Sequence, residues 1–128
     1  MRLMIIAVFV LATVGLNGCM TASQTIAPPV TPEQLAQMRD NYRRTDSDAR
    51  VGLVTAVLPS SSLAAVGSVP AKDFTIGDII TFVDSNGKVL TMGKVEAINQ
   101  NSLTVRYAAP GPQGRVPVEG DAAVRAIH

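Results

Sequence analysis

The chain offers few side chains able to do covalent or acid–base chemistry. Its one cysteine, Cys19, closes an apolar run, Leu3–Leu16, that follows a single basic residue, Arg2. Sulfur is the strongest nucleophile available near neutral pH, so a lone thiol at that place suits covalent modification. The one histidine is the last residue, His128. A terminal His is poorly tied down, so histidine catalysis and metal binding are not expected. Among the carboxylates, Asp73, Asp78 and Glu96 are the candidates for a general acid, a role that requires burial to keep one protonated. None has a His partner. Gly-x-Ser-x-Gly, a phosphate-binding glycine loop and His-Glu-x-x-His are all missing. The expectation is a non-catalytic protein with no cofactor and no metal.

The segment ending at Cys19 is too short to span a bilayer, which takes about 20 apolar residues. A charged start, a short apolar middle and a small-residue end define a secretory signal over residues 1–18. Leu16-Asn17-Gly18-Cys19 resembles the lipobox of bacterial lipoproteins, with Asn17 standing where Ala, Ser, Thr or Val is usual. The resemblance implies cleavage between Gly18 and Cys19 and attachment of acyl chains to Cys19. Each buried CH₂ contributes about 0.8 kcal/mol, so two or three chains anchor stably where one does not. By the sorting rules of that family, Met20 in place of Asp implies an outer-membrane protein facing the periplasm. The membrane partner would then be lipid, through Cys19.

Removing residues 1–18 removes Arg2, their one charge, and takes the net formal charge from +1 to zero. A polyanion-binding protein needs a basic excess, so no nucleic-acid partner is expected. With two Tyr, three Phe and no Trp, the chain also lacks material for a stacking platform.

Residues 19–30 are small and polar, ending in Ala27-Pro28-Pro29, and suit a tether. A helix follows over 31–46. Thr31 and Gln34 have capping-box spacing, Pro32 suits the first turn, and Leu35, Met38 and Tyr42 form an apolar stripe. Arg39, Arg43 and Arg44 give the helix a basic end, read here as a solvated face with Asp40 pairing Arg44. Arg43 is kept as a candidate partner contact.

From residue 47 to 128 the period changes to that of strands. β-rich runs occur at 51–58, 63–69, 79–83, 89–98, 103–108 and 122–127, separated by turn signals. Asn86-Gly87 predicts a hairpin, since both residues tolerate positive φ. Asp84-x-Asn86 echoes a calcium loop but lacks its later acids, so it is read as a turn. Gly52-x-Val54-x-Ala56-Val57 repeats as Gly93-x-Val95-x-Ala97-Ile98, Ser62-Leu63 as Ser102-Leu103, and Gly77-Asp78 as Gly120-Asp121, at offsets of 41, 40 and 43. Two units of three strands predict a mainly β fold: a small six-stranded barrel with an internal pseudo-two-fold repeat, preceded by one short helix.

The Gly-Asp steps resemble the GD box of cradle-loop, RIFT-type barrels, which implies structural roles for Gly77, Asp78, Gly120 and Asp121. Gly52 and Gly93 are expected at bulges or close backbone approaches. The expected core is Phe74, Ile76, Ile79, Phe82, Val95, Ile98, Leu103 and Val105. The Pro/Gly loop 108–115 is the expected contact element, with Gln113 and the forked donor Arg115 as candidate partner contacts.

The function expected is a lipid-anchored accessory or scaffold subunit docking onto an envelope assembly of secretion, pilus or flagellar type. The alternatives are a peptidoglycan- or polysaccharide-binding module and a cell-wall hydrolase of double-psi-barrel type.

Overall fold

A computed structural model describes residues 27–125. The signal segment, Cys19 and most of the tether lie outside the described residues.

Helix α1 (Pro32–Thr45) begins where local chemistry asks it to. The Thr31 hydroxyl accepts the Gln34 N–H at 3.2 Å, and the Gln34 side chain accepts the Thr31 N–H at 2.9 Å. Two amide groups that lack partners inside the helix are thereby satisfied. Arg43 and Arg44 lie in the last turn, where positive charge favours the helix dipole. Leu35, Met38 and Tyr42 pack with Val30 onto an apolar cluster of Val51, Leu53, Val83, Ala122 and Val124. Arg39 turns back to the barrel, where its Nε donates to Val51 O at 3.2 Å and its Nη2 to Ser68 O. That corrects the fully solvated face expected of it. The expected Asp40–Arg44 pair is not among the ion pairs of the described residues.

Six strands follow: β1 (Arg50–Leu58), β2 (Leu63–Gly67), β3 (Ile79–Val83), β4 (Val89–Ile98), β5 (Leu103–Tyr107) and β6 (Ala122–Arg125). They close into an antiparallel barrel in the order β1-β2-β5-β4-β3-β6. Closure leaves no strand without two neighbours, which removes the edges that invite aggregation. Exchanging β1 with β4, β2 with β5 and β3 with β6 returns the same set of neighbours, so the topology has the two-fold symmetry expected of the repeat. Two of the three bulges obey it too. Register shifts at Thr55, between Val54 and Ala56, and at Glu96, between Val95 and Ala97. The bulged residues are therefore neighbours of the repeat's valines, not Gly52 and Gly93. Those two glycines mark close approach: a Cβ on Gly52 would lie 2.4 Å from a Val69 methyl, and one on Gly93 would lie 2.6 Å from Arg106 O.

The barrel interior holds Val54, Val66, Ile80, Phe82, Leu90, Val95, Leu103 and Val105, with Phe74 and Tyr107 against them. Phe82 and Tyr107 meet edge to face, with centroids 6.4 Å apart. Ile98 is partly buried on this cluster. Two expected core residues are outside it: Ile76 is 64% exposed and Ile79 is 45% exposed. Side chains alternate along a strand, so once Ile80 takes the interior its neighbour Ile79 must face out. Ile76 sits in the turn before Gly77.

The β3–β4 hairpin also differs in detail from expectation. Gly87 alone takes a positive φ, of 83°, while Asn86 does not. Asp84 holds the turn, its Oδ1 accepting N–H groups of Asn86 and Lys88, both at 2.9 Å.

Candidate functional site

The two Gly-Asp steps tie the halves together reciprocally. Gly77 and Gly120 have φ of 96° and 99°, a region that side chains rarely adopt. Gly77 N–H donates to Val95 O at 2.9 Å, and Val95 N–H returns to Asp78 O at 3.0 Å. On the other side Gly120 N–H donates to Val54 O at 2.9 Å, and Val54 N–H returns to Asp121 O at 2.8 Å. Each carboxylate closes its own turn, Asp78 accepting Thr75 N–H at 2.9 Å and Asp121 accepting Val118 N–H at 2.7 Å. The step of one half thus grips the bulged strand of the other, so these four residues act in the scaffold.

Arginines complete both steps. Arg115 grips buried Asp121 with two hydrogen bonds of 2.8 and 3.0 Å. Arg125, itself buried, donates to Asp78 at 3.2 Å and to the carbonyls of Asp73 and Asp48. Its guanidinium carbon lies 4.7 Å from the Phe74 ring centre. Arg50 pairs with Asp73 at 3.0 Å.

Each carboxylate considered for acid catalysis therefore meets an arginine. Asp73 has Arg50, Asp78 has Arg125, and Glu96 has Arg106. The Glu96 carboxyl is held below the usual glutamate range, chiefly by hydrogen bonds from the Arg106 guanidinium, with its charge adding to the effect. A hydrolase of the kind considered needs the reverse, a carboxylic acid kept protonated.

The loop 108–115 is exposed at Ala108, Ala109 and residues 111–113, but its far end is fastened. A Cβ on Gly114 would lie 2.1 Å from Leu90 O, so the loop lies flat on the start of β4. Arg115, its last residue, is committed to Asp121, and that commitment limits what its guanidinium can offer to a partner. Gln113 and Arg43 are exposed and stand on different elements, the loop and α1. No hydrogen bond or ion pair among the described residues joins these candidate contacts. Cys19 and Gly18 lie outside the described residues.

What the fold does assemble is an open apolar groove of about 630 Å³ on the outer face of β3 and β4, continuing onto β5. Ile76, Ile79 and Met92 supply its apolar surface, and Lys94, Glu96 and Arg106 its charged side. Met92 is 49% exposed. Lys94 enters no ion pair among the described residues. Neither Met92 nor Lys94 belongs to a motif that marks it as a site residue in the sequence. A signal existed in the alternation of β4, where Met92 shares the parity of Lys94 and Glu96 and so must face outward with them.

Among the described residues no cluster of three or more His, Cys, Asp or Glu side chains converges as a metal site. No described helix is long and apolar enough to cross a membrane. No family model matches the chain, and neither the curated proteins nor the solved structures yield a match.

Proposed function

We propose that this chain is a lipid-anchored protein of the bacterial envelope, with a GD-box-type barrel that serves as a non-catalytic accessory subunit docking onto an envelope assembly. The anchor rests on Leu16-Asn17-Gly18-Cys19 and the single thiol. The observation that carries the docking role is the groove of β3 and β4, where Ile76, Ile79 and Met92 lie exposed together on a rigid closed barrel. Such an apolar cluster is costly to leave in water and gains free energy when covered. Anchoring would confine the barrel to the membrane plane and raise its effective concentration near a partner. The Arg-bound carboxylates favour this role over the hydrolase. The groove, apolar and with one uncancelled cation, favours a protein over a polysaccharide.

Mass spectrometry of the native polypeptide tests the anchor. A diacylated or triacylated Cys19 at the amino terminus is expected, and Cys19→Ser is expected to leave the membrane fraction. An unmodified amino terminus, or a Cys19→Ser protein that fractionates unchanged, refutes it.

A further inference from the structure

The seat on which α1 lies has a counterpart that no helix of the described residues covers. In the seat, Val51 and Leu53 of β1 pair with Val124 and Ala122 of β6, and the helix covers their outer side chains. The internal two-fold carries those four positions onto Met92, Lys94, Thr81 and Ile79. In β3 and β4 the pairing is the same, Met92 with Thr81 and Lys94 with Ile79. Met92, Lys94 and Ile79 are exposed and line the groove described above, with half-buried Thr81 beside it.

The entry to the seat is duplicated as well. The chain leading into α1 is fastened where Val30 N–H donates to Gly120 O at 2.8 Å. There Pro29 lies 2.7 Å from where a Gly120 Cβ would be. Gly77 is the counterpart of Gly120. No atom lies within 4 Å of its Cβ position, and its carbonyl accepts no hydrogen bond among the described residues. The groove therefore presents apolar surface from Ile79 and Met92 and the backbone acceptor at the position that the occupied seat uses to hold the lead-in to its helix.

The two seats differ in charge, and the difference selects the occupant. Where α1 meets Leu53, an occupant of the second seat meets Lys94. Glu96 does not cancel that charge, because it is bound by Arg106. A helix carrying an acidic residue against Lys94 fits the site. The helix α1 of a second copy does not. It would bring Arg39, which in the occupied seat donates to Val51 O two residues from Leu53, toward Lys94, and the carbonyl equivalent to the one Arg39 grips, Met92 O, already accepts Ala108 N–H at 2.8 Å.

We infer that the outer face of β3 and β4 is a second helix seat, which receives an amphipathic helix of a partner protein with an acidic residue opposite Lys94. The inference rests on the docking role proposed above and names its surface and the kind of partner.

The test uses the full-length protein in its native membranes, with a photo-crosslinking amino acid at Met92 and, as control, at exposed Gln100. The expected result is an adduct to one protein from Met92 and none from Gln100, mapping to a segment with an apolar stripe at i, i+3 and i+7 and an adjacent Asp or Glu. As a synthetic peptide, that segment should bind the Lys94→Glu protein about tenfold more weakly than the unaltered one. Changing its acid to Lys should restore binding. Thermal unfolding of Lys94→Glu, whose side chain is exposed, should match the parent. Adducts from Met92 to lipid alone, to a second copy, or to a segment without that pattern overturn the inference. A partner caught from Gln100 and not from Met92 overturns this surface and leaves the docking role standing. No protein partner from either position overturns both.

Discussion

The internal symmetry provides its own control for how α1 is held. Gly77 and Gly120 occupy matched positions with nearly equal φ, 96° and 99°. Alanine at either must take a conformation that costs an L-residue about 1–2 kcal/mol. The surroundings differ. Around Gly77 a Cβ meets none of the described residues within 4 Å, whereas at Gly120 it would lie 2.7 Å from Pro29 Cβ and 3.2 Å from Pro29 Cα. Overpacking of that kind adds roughly 1–3 kcal/mol. Gly77→Ala should therefore lose only the conformational cost, and Gly120→Ala should lose about 2–5 kcal/mol. For a domain of this size each kcal/mol lowers Tm by about 4–8 °C. The strain at Gly120 has one escape: Pro29 and Val30 lift away, which breaks the bond from Val30 N–H to Gly120 O and loosens the helix. Urea unfolding followed by circular dichroism reads the free energies. Helical signal in Gly120→Ala should fall before the barrel unfolds. If the two variants agree within about 0.5 kcal/mol, or Gly77→Ala is the worse, the steric reasoning fails.

Other outcomes follow from the ion pairs. Asp121→Asn removes one charge of a largely desolvated pair and weakens the acceptor for Val118 N–H. The expected loss is about 2–4 kcal/mol by urea unfolding, moderated because Arg115 is only partly buried; a loss below about 0.5 kcal/mol would place the pair among ordinary surface contacts. Glu96 should titrate below its ordinary value of 4.5, because Arg106 stabilises the carboxylate. Its folded pKa is depressed, so the stabilising pairing is full above the unfolded value and fades as pH falls through the folded one. An NMR titration of its carboxyl carbon in the parent and in Arg106→Gln checks this, and equal midpoints in the two would contradict it.

Much of this fold is written locally. The capping box of Thr31 and Gln34, the stripe of Leu35, Met38 and Tyr42, and the six β-rich runs are all decided by neighbours a few residues apart. Strands β1, β3 and β4 were legible almost to the residue for that reason. The repeat was legible too, because both halves need glycine where the backbone turns through positive φ, and aspartate to take the amides beside it. Local pattern erred where a side chain's fate depends on which parity wins. Ile79 and Ile80 are equivalent as residues, and only the barrel's curvature sends one in and the other out. Arg115 looked free because its partner, Asp121, reaches it only when the turn closes.

The groove was the least legible feature. It exists because β3 pairs with β4 while α1 covers the matching face of β1 and β6. Sequence alone therefore determined a six-stranded duplicated β domain, since secondary structure and turns are short-range properties. Which outer face α1 covers was decided by the tertiary structure. Among the described residues one helix serves a barrel that has two symmetric seats, and which seat it takes depends on contacts between distant segments that local pattern does not specify.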